Sequence, residues 1–316
     1  MKANEWVRKT FSFSKLQTFT RCPRKAYYRF ACGLKEPGAE FFVKGRAVHK
    51  GQEENNKELL TGKGLGIAGT LDVAVQTYDR ELKQEDLRGN VDRFATEHRI
   101  QLEKGEEAGV NKGLKPVQGT IEGAFSISLE VAKTAKPEVQ VDSRFIYQPS
   151  LVDEQEGTEE AQIDGFVDVV MQDEKTGKTR VRDYKTGGRA VTQAEADVNL
   201  QTALYMKGAG SDGADFVSFV SGGRQKPTTK VTGGVPATDR GWERVLSWVA
   251  ETIQAFRGAL KTGDFPKCAP QCSWCSRTAC GFYERCYPEE KKGLEKVVQV
   301  VKVEPVGSLP TPSWRK

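Results

Sequence analysis

The stretch VRDYKTGG, residues 181–188, places an aspartate and a lysine two residues apart, directly before a pair of glycines. If the stretch is a β-strand, residues i and i+2 project from the same face, so Asp183 and Lys185 stand side by side while Tyr184 points to the opposite face. In isolation, such a pair is most often a solvated ion pair that contributes about 0 to 1 kcal/mol. The neighbouring segments decide whether this pair does more.

Two earlier segments predict how this strand pairs. Residues 138–147 (EVQVDSRFIY) and Gln162–Gln172 (QIDGFVDVVMQ) have strand character, and the turn DEKTGK joins the second of them to TRVRDYK. Three strands in sequence predict an antiparallel meander. Asp168 stands in the apolar run GFVDVV, where a carboxylate is costly to bury unless something binds it. We therefore expect Asp168, Asp183 and Lys185 to converge on one point.

Helices are expected before the meander. The stretch FSFSKLQTF predicts a short helix capped by Ser12 or Ser14, and Pro23 then suits the first turn of a second helix, PRKAYYRFA. Another helix is expected to start near His49, and residues 52–135 have the composition of a mostly helical, polar region.

The C-terminal half predicts a helix over 192–207, a short buried strand over 215–221 and a long helix over 242–260 with apolar residues at helical spacing. Residues 289–316 contain valines and prolines and are typical of a flexible tail. The order helix, meander, helix, strand, helix predicts an α/β sandwich.

Composition narrows the classes of protein that this chain can belong to. The chain has 316 residues, 37% of them hydrophobic and 29% charged, which fits one large globular unit or two modest domains. Its net charge of +5 favours a nucleic-acid partner weakly. No apolar run approaches the ~20 residues of a membrane span, and the N-terminus lacks the apolar stretch of a signal peptide, so no membrane partner and a cytoplasmic location are expected.

The residues around Asp183 suit the hydrolysis of a phosphodiester bond. Carboxylates bind hard divalent cations such as Mg²⁺ or Mn²⁺, and such a cation can bind a phosphate oxygen and activate water. Lys185 could orient that water or neutralise charge developing on the phosphate. His49 could add a nitrogen ligand, which suits Mn²⁺ as well as Mg²⁺.

Four short motifs occur in order: GRAVH (45–49), GFVD (165–168), DYKTG (183–187) and QTALY (201–205). This order and spacing resemble the RecB-like nucleases of the PD-(D/E)xK superfamily, a group that includes the nuclease domains of RecB and AddB and related CRISPR-associated exonucleases. The resemblance covers residues 12–286. It implies a restriction-endonuclease-like α/β core with a central mixed sheet flanked by helices.

The resemblance also implies an organisation and a set of roles. One RecB-like nuclease domain would span 1–288, with 52–135 as a mostly helical insertion and 289–316 outside it. The metal ligands would be His49, Asp168, Asp183 and the Tyr184 carbonyl, with Lys185 as the catalytic lysine and Gln201 and Tyr205 beside the active site and the DNA. Relatives often carry a further acidic residue on the first strand, and here both Glu138 and Asp142 are candidates.

The cysteines predict a second metal centre. Seven cysteines in a reducing compartment are poor candidates for disulfides, and five of them fall within 268–286. Cys272 and Cys275 form a CxxC pair, with Cys280 and Cys286 following, and four such thiolates would ordinarily suggest tetrahedral zinc.

The family resemblance implies a [4Fe-4S] cluster instead, held by one N-terminal cysteine and three C-terminal ones. The cluster set it favours is Cys22, Cys272, Cys275 and Cys280. The family's third C-terminal cysteine usually follows the CxxC after five residues, whereas four residues separate Cys275 from Cys280 here. Cys268 or Cys286 could therefore replace Cys280.

Together these features predict a metal-dependent DNA nuclease, an exonuclease acting at DNA ends in recombination, repair or replication. Its DNA would be single-stranded or have free ends. Because the chain contains no GxxxxGK[ST] phosphate loop, any unwinding would come from a helicase or recombinase partner. The alternatives are a non-cleaving DNA end-binding or assembly module on the same fold, and a zinc-ribbon regulator, which would explain only the cysteines.

Overall fold

A mixed β-sheet with helices on both faces forms the centre of the protein. The computed structural model describes residues 5–36, 40–84, 140–149, 152–153, 157–158, 161–172, 176–220, 228–236, 238–269, 272, 274–276 and 279–288. The strands are β1 (Thr10–Phe11), β2 (Gln140–Tyr147), β3 (Val152–Asp153), β4 (Gly157–Thr158), β5 (Gln162–Gln172), β6 (Thr179–Gly187), β7 (Gly213–Val220) and β8 (Thr228–Pro236). Six of them form one sheet, and β3 and β4 form a separate ribbon.

The helices are α1 (Glu5–Lys9), α2 (Phe13–Arg21), α3 (Pro23–Ala26), α4 (Glu40–Leu60), α5 (Gly66–Gln84), α6 (Gln193–Asp197), α7 (Leu200–Ala209), α8 (Asp239–Thr262) and α9 (Tyr283–Cys286). A π-helical turn, Tyr27–Ala31, continues α3. Within the described ranges, no helix is long and apolar enough to cross a bilayer.

The predicted meander is confirmed. β2 pairs antiparallel with β5, and β5 pairs antiparallel with β6. β6 then pairs in parallel with β7, which pairs antiparallel with β8, giving the order β1-β5-β6-β7-β8 with β2 also on β5. The fold is therefore an α/β fold with a mixed sheet flanked by helices, as the sequence predicts.

The pairing of β5 leaves a gap in the sheet. β2 runs along one edge of β5 from Ile163 to Val170, so β1 and β6 must both use the opposite edge. β1 pairs there only with Gln162 and Ile163, and β6 pairs only from Val169 onward. β6 therefore diverges from β5 beyond Val169, and residues 164–168 of β5 face a wedge-shaped opening between these two strands.

Each face of the sheet carries its own core. On one face, Val181 and Phe216 pack with residues of α2, α7 and α8, including Val245 and Ile253. On the other face, Tyr184, Val217 and Phe219 pack with Val48 of α4 and Ala74 of α5. Because both faces are covered, β6 is a buried central strand, which fits its apolar neighbours on either side.

Several element boundaries differ from the expectation. The prediction that a helix starts near His49 is wrong about the start, since α4 begins at Glu40 and contains the whole GRAVH motif. Residues 192–207 form two short helices, because Asn199 leaves the helical conformation and caps α7 through its side chain. Ser12, one of two predicted caps, caps α2 by accepting from the Lys15 amide at 3.2 Å. Of the region 52–135, only 52–84 is described, and it is helical apart from the short link between α4 and α5.

Candidate active site

The wedge between β5 and β6 positions two carboxylates. The last paired residues are Val169 and Arg182, so Asp168 and Asp183 are the first residues beyond the paired region on either strand. Beyond that point the Tyr184 amide donates to Asp168 Oδ2 at 2.7 Å instead of continuing the ladder with β5. The divergence of the strands thus turns a backbone donor toward a side chain and fixes the Asp168 carboxylate at the opening.

The aspartate and lysine of the DYK motif form a pair in which the aspartate is buried and the lysine half-buried. Lys185 Nζ lies 2.7 Å from Asp183 Oδ2, with 6% of the Asp183 side chain and 33% of the Lys185 side chain exposed. Burial raises the pKa of Asp183, while the neighbouring Lys185 opposes that rise. A solvated surface pair is therefore ruled out, because β6 is central in the sheet and its carboxylate is withdrawn from water.

Helix α4 brings His49 to the same opening. His49 Nδ1 lies 3.6 Å from Asp168 Oδ1. Burial alone would lower the pKa of His49, but the interactions with Asp168 and the charge of Asp183 outweigh burial and raise it. Gly45 allows α4 to come this close, because a Cβ there would stand 2.9 Å from the Thr186 hydroxyl of β6. The glycine of GRAVH is thus a point of close approach between the helix and the strand that carries Lys185.

Helix α7 completes the site from the other face of the sheet. Lys185 Nζ donates to Gln201 Oε1 at 3.0 Å, and Gln201 Nε2 donates to the Tyr205 hydroxyl at 2.7 Å. The two α7 residues are one turn apart and so share a helix face. Burial raises the pKa of Tyr205 to about 12, so it stays protonated at neutral pH. The structure thus brings together all six predicted catalytic residues: His49, Asp168, Asp183, Lys185, Gln201 and Tyr205.

A buried amide network under the site was not anticipated from the sequence. The Tyr184 ring is buried beside His49 and Phe219. Its hydroxyl accepts from Asn56 Nδ2 at 2.9 Å, and Gln52 Nε2 donates to Asn56 Oδ1 at 3.0 Å. Gln52 and Asn56 follow His49 by three and seven residues, which places them on its helix face. The sequence carries that spacing, since a helix is expected from near His49 onward, but no local pattern shows that the Tyr184 hydroxyl is the partner of Asn56.

The donor set suits a divalent cation. Two carboxylates and an imidazole surround the wedge, and Mg²⁺ and Mn²⁺ bind such ligands. Asp183 Oδ2 is buried, and the Lys185 ammonium lies 2.7 Å from it. Burial and the neighbouring charge of Asp168 both raise the pKa of Asp183, and a cation bound between the two carboxylates would offset their repulsion. Within the described ranges, however, no group of three His, Cys, Asp or Glu side chains is already arranged closely enough to hold a metal ion.

The two candidates for a further acid differ in position. Asp142 lies in β2 between Val141, which pairs with Val169, and Ser143, which pairs with Val167. This register places the Asp142 backbone alongside Asp168. Glu138 lies outside the described residues. Metal binding by the Tyr184 carbonyl remains a prediction.

Six cysteines line one cavity of about 670 Å³ between the N-terminal helices and the C-terminal segment: Cys22, Cys268, Cys272, Cys275, Cys280 and Cys286. The cavity lies between N-terminal and C-terminal segments that are far apart in sequence. The Arg24 side chain links the same two segments by donating to the Phe265 carbonyl at 2.6 Å. Cys32, the seventh cysteine, is not among the residues that line it.

The cysteines are close enough to influence one another. Cys268 lies within hydrogen-bonding reach of Cys275 and Cys272, and Cys22 is an electrostatic neighbour of Cys268, Cys280 and Cys286 alike. Burial is the main cause that raises the pKa of the Cys268, Cys280 and Cys286 thiols. Soft thiolate donors gathered around one cavity fit an iron-sulfur cluster or zinc, either of which would have to displace these protons on binding.

Comparison with known families identifies the class of protein. The family model of the PD-(D/E)XK nuclease superfamily matches residues 10–286. The chain therefore belongs to the PD-(D/E)XK nuclease superfamily, as the four motifs had suggested. No match was found among curated proteins.

Two solved structures are similar to this chain. One is the "Putative exonuclease" from Eubacterium rectale, with 10% identity, a TM-score of 0.48 and coverage of 86% of this chain and 88% of that one. The other is SSO0001, with 13% identity, a TM-score of 0.30 and coverage of 50% and 70% respectively. Similarity at this level says nothing about the activity of this chain.

Proposed function

We propose that the protein is a metal-dependent deoxyribonuclease of the RecB-like type, an exonuclease that hydrolyses phosphodiester bonds at DNA ends. The observation that carries the proposal is the buried Asp183 carboxylate, placed beside Asp168, His49 and Lys185 at the opening between two diverging strands. Superfamily membership supports nuclease chemistry. The preference for DNA ends and the helicase or recombinase partner are further parts of this proposal.

Each residue of the site has a role in this proposal. Asp168, Asp183 and His49 would hold Mg²⁺ or Mn²⁺, and the cation would supply positive charge to a phosphate oxygen and make a bound water more acidic. Lys185 places an ammonium at the mouth of the wedge, where it can neutralise charge on the phosphate. Gln201 accepts a hydrogen bond from that ammonium and donates one to the Tyr205 hydroxyl, which fixes its own position. The Tyr184 amide keeps the Asp168 carboxylate in position.

The test is a cleavage assay on end-labelled single- and double-stranded DNA with Mg²⁺ or Mn²⁺. We expect EDTA to abolish cleavage, and Asp183→Asn and Lys185→Ala each to reduce it by about 10² to 10³ or more, the range for losing one electrostatic contact in a transition state. Binding of the same DNA without cleavage should persist in Lys185→Ala. Circular single-stranded DNA should resist digestion, because the proposed exonuclease needs a free end.

Two results would count against the proposal. Activity that persists in both variants would remove the assigned site. Tight DNA binding by the wild type with no cleavage under any metal condition would instead favour the end-binding or assembly module.

We further propose that the cysteine cavity holds a [4Fe-4S] cluster ligated by Cys22, Cys272, Cys275 and Cys280. Support comes from the six thiols around one cavity and from the shared neighbourhood of Cys22. Such a cluster would link the N-terminal helices to the C-terminal segment and stabilise the fold. It would take no part in hydrolysis.

Anaerobic purification with iron and sulfide analysis tests the cluster. We expect brown protein whose visible absorbance is lost in Cys22→Ser. Cys280→Ser should lose the cluster while Cys268→Ser keeps it. The reverse result would exchange these two ligands, since Cys268 lies within hydrogen-bonding reach of Cys275 and Cys272. Colourless protein with stoichiometric zinc would replace the cluster with a tetrahedral zinc site.

A further inference from the structure

Helix α4 carries a line of side chains that leads away from His49. Phe42, Arg46, His49 and Glu53 are separated by four, three and four residues and therefore share one face of the helix. Phe42 is 45% exposed, so its ring offers an aromatic surface to solvent. With a rise of about 1.5 Å per residue, Phe42 stands about 10 Å along the axis from His49.

Phe42 and Arg46 lie where two cavities meet. The cavity of about 460 Å³ next to the active site is lined by both of them together with His49 and Thr186. The cysteine cavity of about 670 Å³ is lined by the same Phe42 and Arg46. A ligand chain that passes these two side chains can therefore extend from the cysteine cavity to the residue that follows Lys185.

The charge of the cysteine cavity fits a polyanion. Among the residues that the structure describes, the cysteine cavity is bordered by six basic side chains, Arg21, Lys25, Arg29, Lys35, Arg46 and Lys267, and by one acid, Glu36. Trp274, 53% exposed, adds a second aromatic surface, with the Arg21 guanidinium 5.3 Å from its ring centre. Basic grooves with aromatic side chains are the general design for binding single-stranded nucleic acid, because phosphates meet cations while bases stack on rings.

We propose that single-stranded DNA runs along this face of α4, with one base stacked on Phe42 and a phosphate bound by Arg46. This inference rests on the proposed nuclease function and adds the path of the substrate strand. Nucleotides are spaced by about 3.4 Å in a duplex strand and further when extended, so the base on Phe42 lies within about three nucleotides of the cleaved bond. Glu81 forms an ion pair with Arg46 and competes with that phosphate.

Binding is measured first, in the Lys185→Ala background with EDTA, so that the result does not depend on cleavage. A fluorescent oligo(dT) serves as the probe. Phe42→Leu keeps the apolar volume but removes the ring and should weaken binding about fivefold or more, whereas Phe42→Trp should keep wild-type affinity. Arg46→Ala should make the salt dependence of log affinity shallower by about 0.7, the value for one phosphate on a single strand. Glu81→Gln should tighten binding.

Two matched controls lie away from the proposed path. Ile67→Ala removes another exposed apolar side chain, at the start of α5, and Arg244→Ala removes an exposed arginine on α8, across the sheet from α4. Neither should change affinity by more than about twofold. Unchanged affinity in both Phe42→Leu and Arg46→Ala would overturn the proposal, as would duplex DNA or oligo(U) competing as well as oligo(dT).

A second measurement locates the stacked base. In a cleavage assay, one abasic nucleotide is moved stepwise through the six positions next to the labelled end. One position should slow the wild type but not Phe42→Leu; no position-dependent difference between the two enzymes would contradict stacking at Phe42. If the wild type never cleaves DNA yet the binding results hold, the proposed function fails while the strand path stands. If it cleaves normally and the variants match it in both assays, only the strand path fails.

Discussion

At the scale of single residues, the Lys185 ammonium is held by two neighbours with different consequences. Asp183, an ion-pair partner at 2.7 Å, would be shared with a bound cation. Gln201, a neutral acceptor at 3.0 Å, would not. When a cation takes part of the Asp183 charge, the amide of Gln201 becomes the contact that keeps the ammonium aimed at the wedge. Gln201 is therefore a positioning residue in the proposed reaction.

Replacing Gln201 should affect turnover more than binding. In Gln201→Ala, Lys185 loses its neutral acceptor and Tyr205 loses its hydrogen-bond donor, so the ammonium is expected to be misplaced at the moment of reaction. Misplacements of about 1 Å can cost up to 10² in rate, and we expect a loss of at least about tenfold in kcat with KM changed less than about threefold. Steady-state cleavage of an end-labelled oligonucleotide measures both constants.

The control for this variant is Gln193→Ala, which removes an exposed glutamine of α6 that donates to Asp197 instead. Its kinetics should match the wild type. A Gln201→Ala enzyme with unchanged kcat and raised KM would show that Gln201 binds DNA and does not position Lys185.

At the scale of elements, one aromatic ring sets the distance between α7 and the sheet. Phe145 of β2 is buried, and its ring lies edge-to-face with Tyr205, the centroids 5.4 Å apart. It occupies space left by glycines on both sides: a Cβ at Gly208 of α7 would stand 2.2 Å from the ring, and one at Gly165 of β5 would stand 2.4 Å from it. The ring therefore has no room to move, and α7 must keep its present position to hold Gln201 and Tyr205 at the site.

Gly208→Ala should be destabilising for this reason. Alanine ordinarily stabilises a helix by about 1 kcal/mol relative to glycine, but overpacking a closed core costs about 1 to 3 kcal/mol, and here the ring is blocked on its other side. We expect a lower free energy of unfolding in urea together with reduced nuclease activity, and recovery of part of both when Phe145→Leu is added.

The matched control is Gly258→Ala in α8, where a new Cβ meets no atom within 4 Å. That variant should be more stable than the wild type by about 0.5 to 1 kcal/mol. If Gly208→Ala were equally stabilising, the wedge role of Phe145 would be disproved.

The N-terminal segment is attached to the core through a buried lysine. Lys15 Nζ donates to the Val7 and Thr10 carbonyls at 2.6 and 2.7 Å and lies over the Phe11 and Phe256 rings. Burial, aided by the positive charge of Arg257, lowers the pKa of Lys15 from its ordinary value of 10.5 to about 7. The α1 and β1 segment is thus stabilised by hydrogen bonds whose donor loses its charge near neutral pH.

This lowered pKa predicts how stability depends on pH. Between pH 7 and pH 10.5 the unfolded chain binds more protons at Lys15 than the folded one, so the free energy of unfolding rises with pH by at most about 1.4 kcal/mol per unit. Below pH 7 the lysine is charged in both states and its contribution is constant. Lys15→Met should therefore lose this rise, measured as the difference from wild type in urea unfolding at pH 7 and pH 9.5.

The contributions of other titrating groups to the free energy of unfolding cancel in that difference. Lys178→Met, at an exposed lysine, serves as the control. A wild-type minus Lys15→Met difference that stays the same from pH 7 to pH 9.5 would mean that Lys15 is not the titrating group.

At this scale, the sequence predicts elements where local signals are strong. The meander and the long helix α8 follow from alternation, turn residues and helical spacing. The two-residue β1 and the strand β8 could not be predicted, because β1 is too short to show a pattern and β8 (TTKVTGGVP) contains two glycines and ends in proline. The start of α4 could not be predicted, because GRAVH contains a glycine whose role depends on Thr186, a residue 141 positions away in the chain.

At the scale of the whole molecule, the residue types of the site could be predicted but their arrangement could not. Asp168, Asp183 and Lys185 follow from one hairpin, since period-two spacing and a short turn bring them together. The wedge that exposes them depends on β1 and β6 sharing one edge of β5, which no local pattern encodes. The cavity junction at Phe42 and Arg46 likewise depends on contact between chain ends about 230 residues apart.

The C-terminal boundary of the folded unit is expected near residue 288. The family match ends at residue 286, and the ring of Tyr287 still packs on Tyr283 with centroids 4.9 Å apart. We therefore expect deletion of 289–316 to leave Tm and nuclease activity unchanged. Deletion from 279 onward should lower Tm by several degrees, because it removes Cys280, Cys286 and the buried Phe282, whose ring contacts Tyr28. Calorimetry and the end-labelled cleavage assay on both truncations measure this, and a lower Tm in the shorter deletion would place part of the folded domain beyond residue 288.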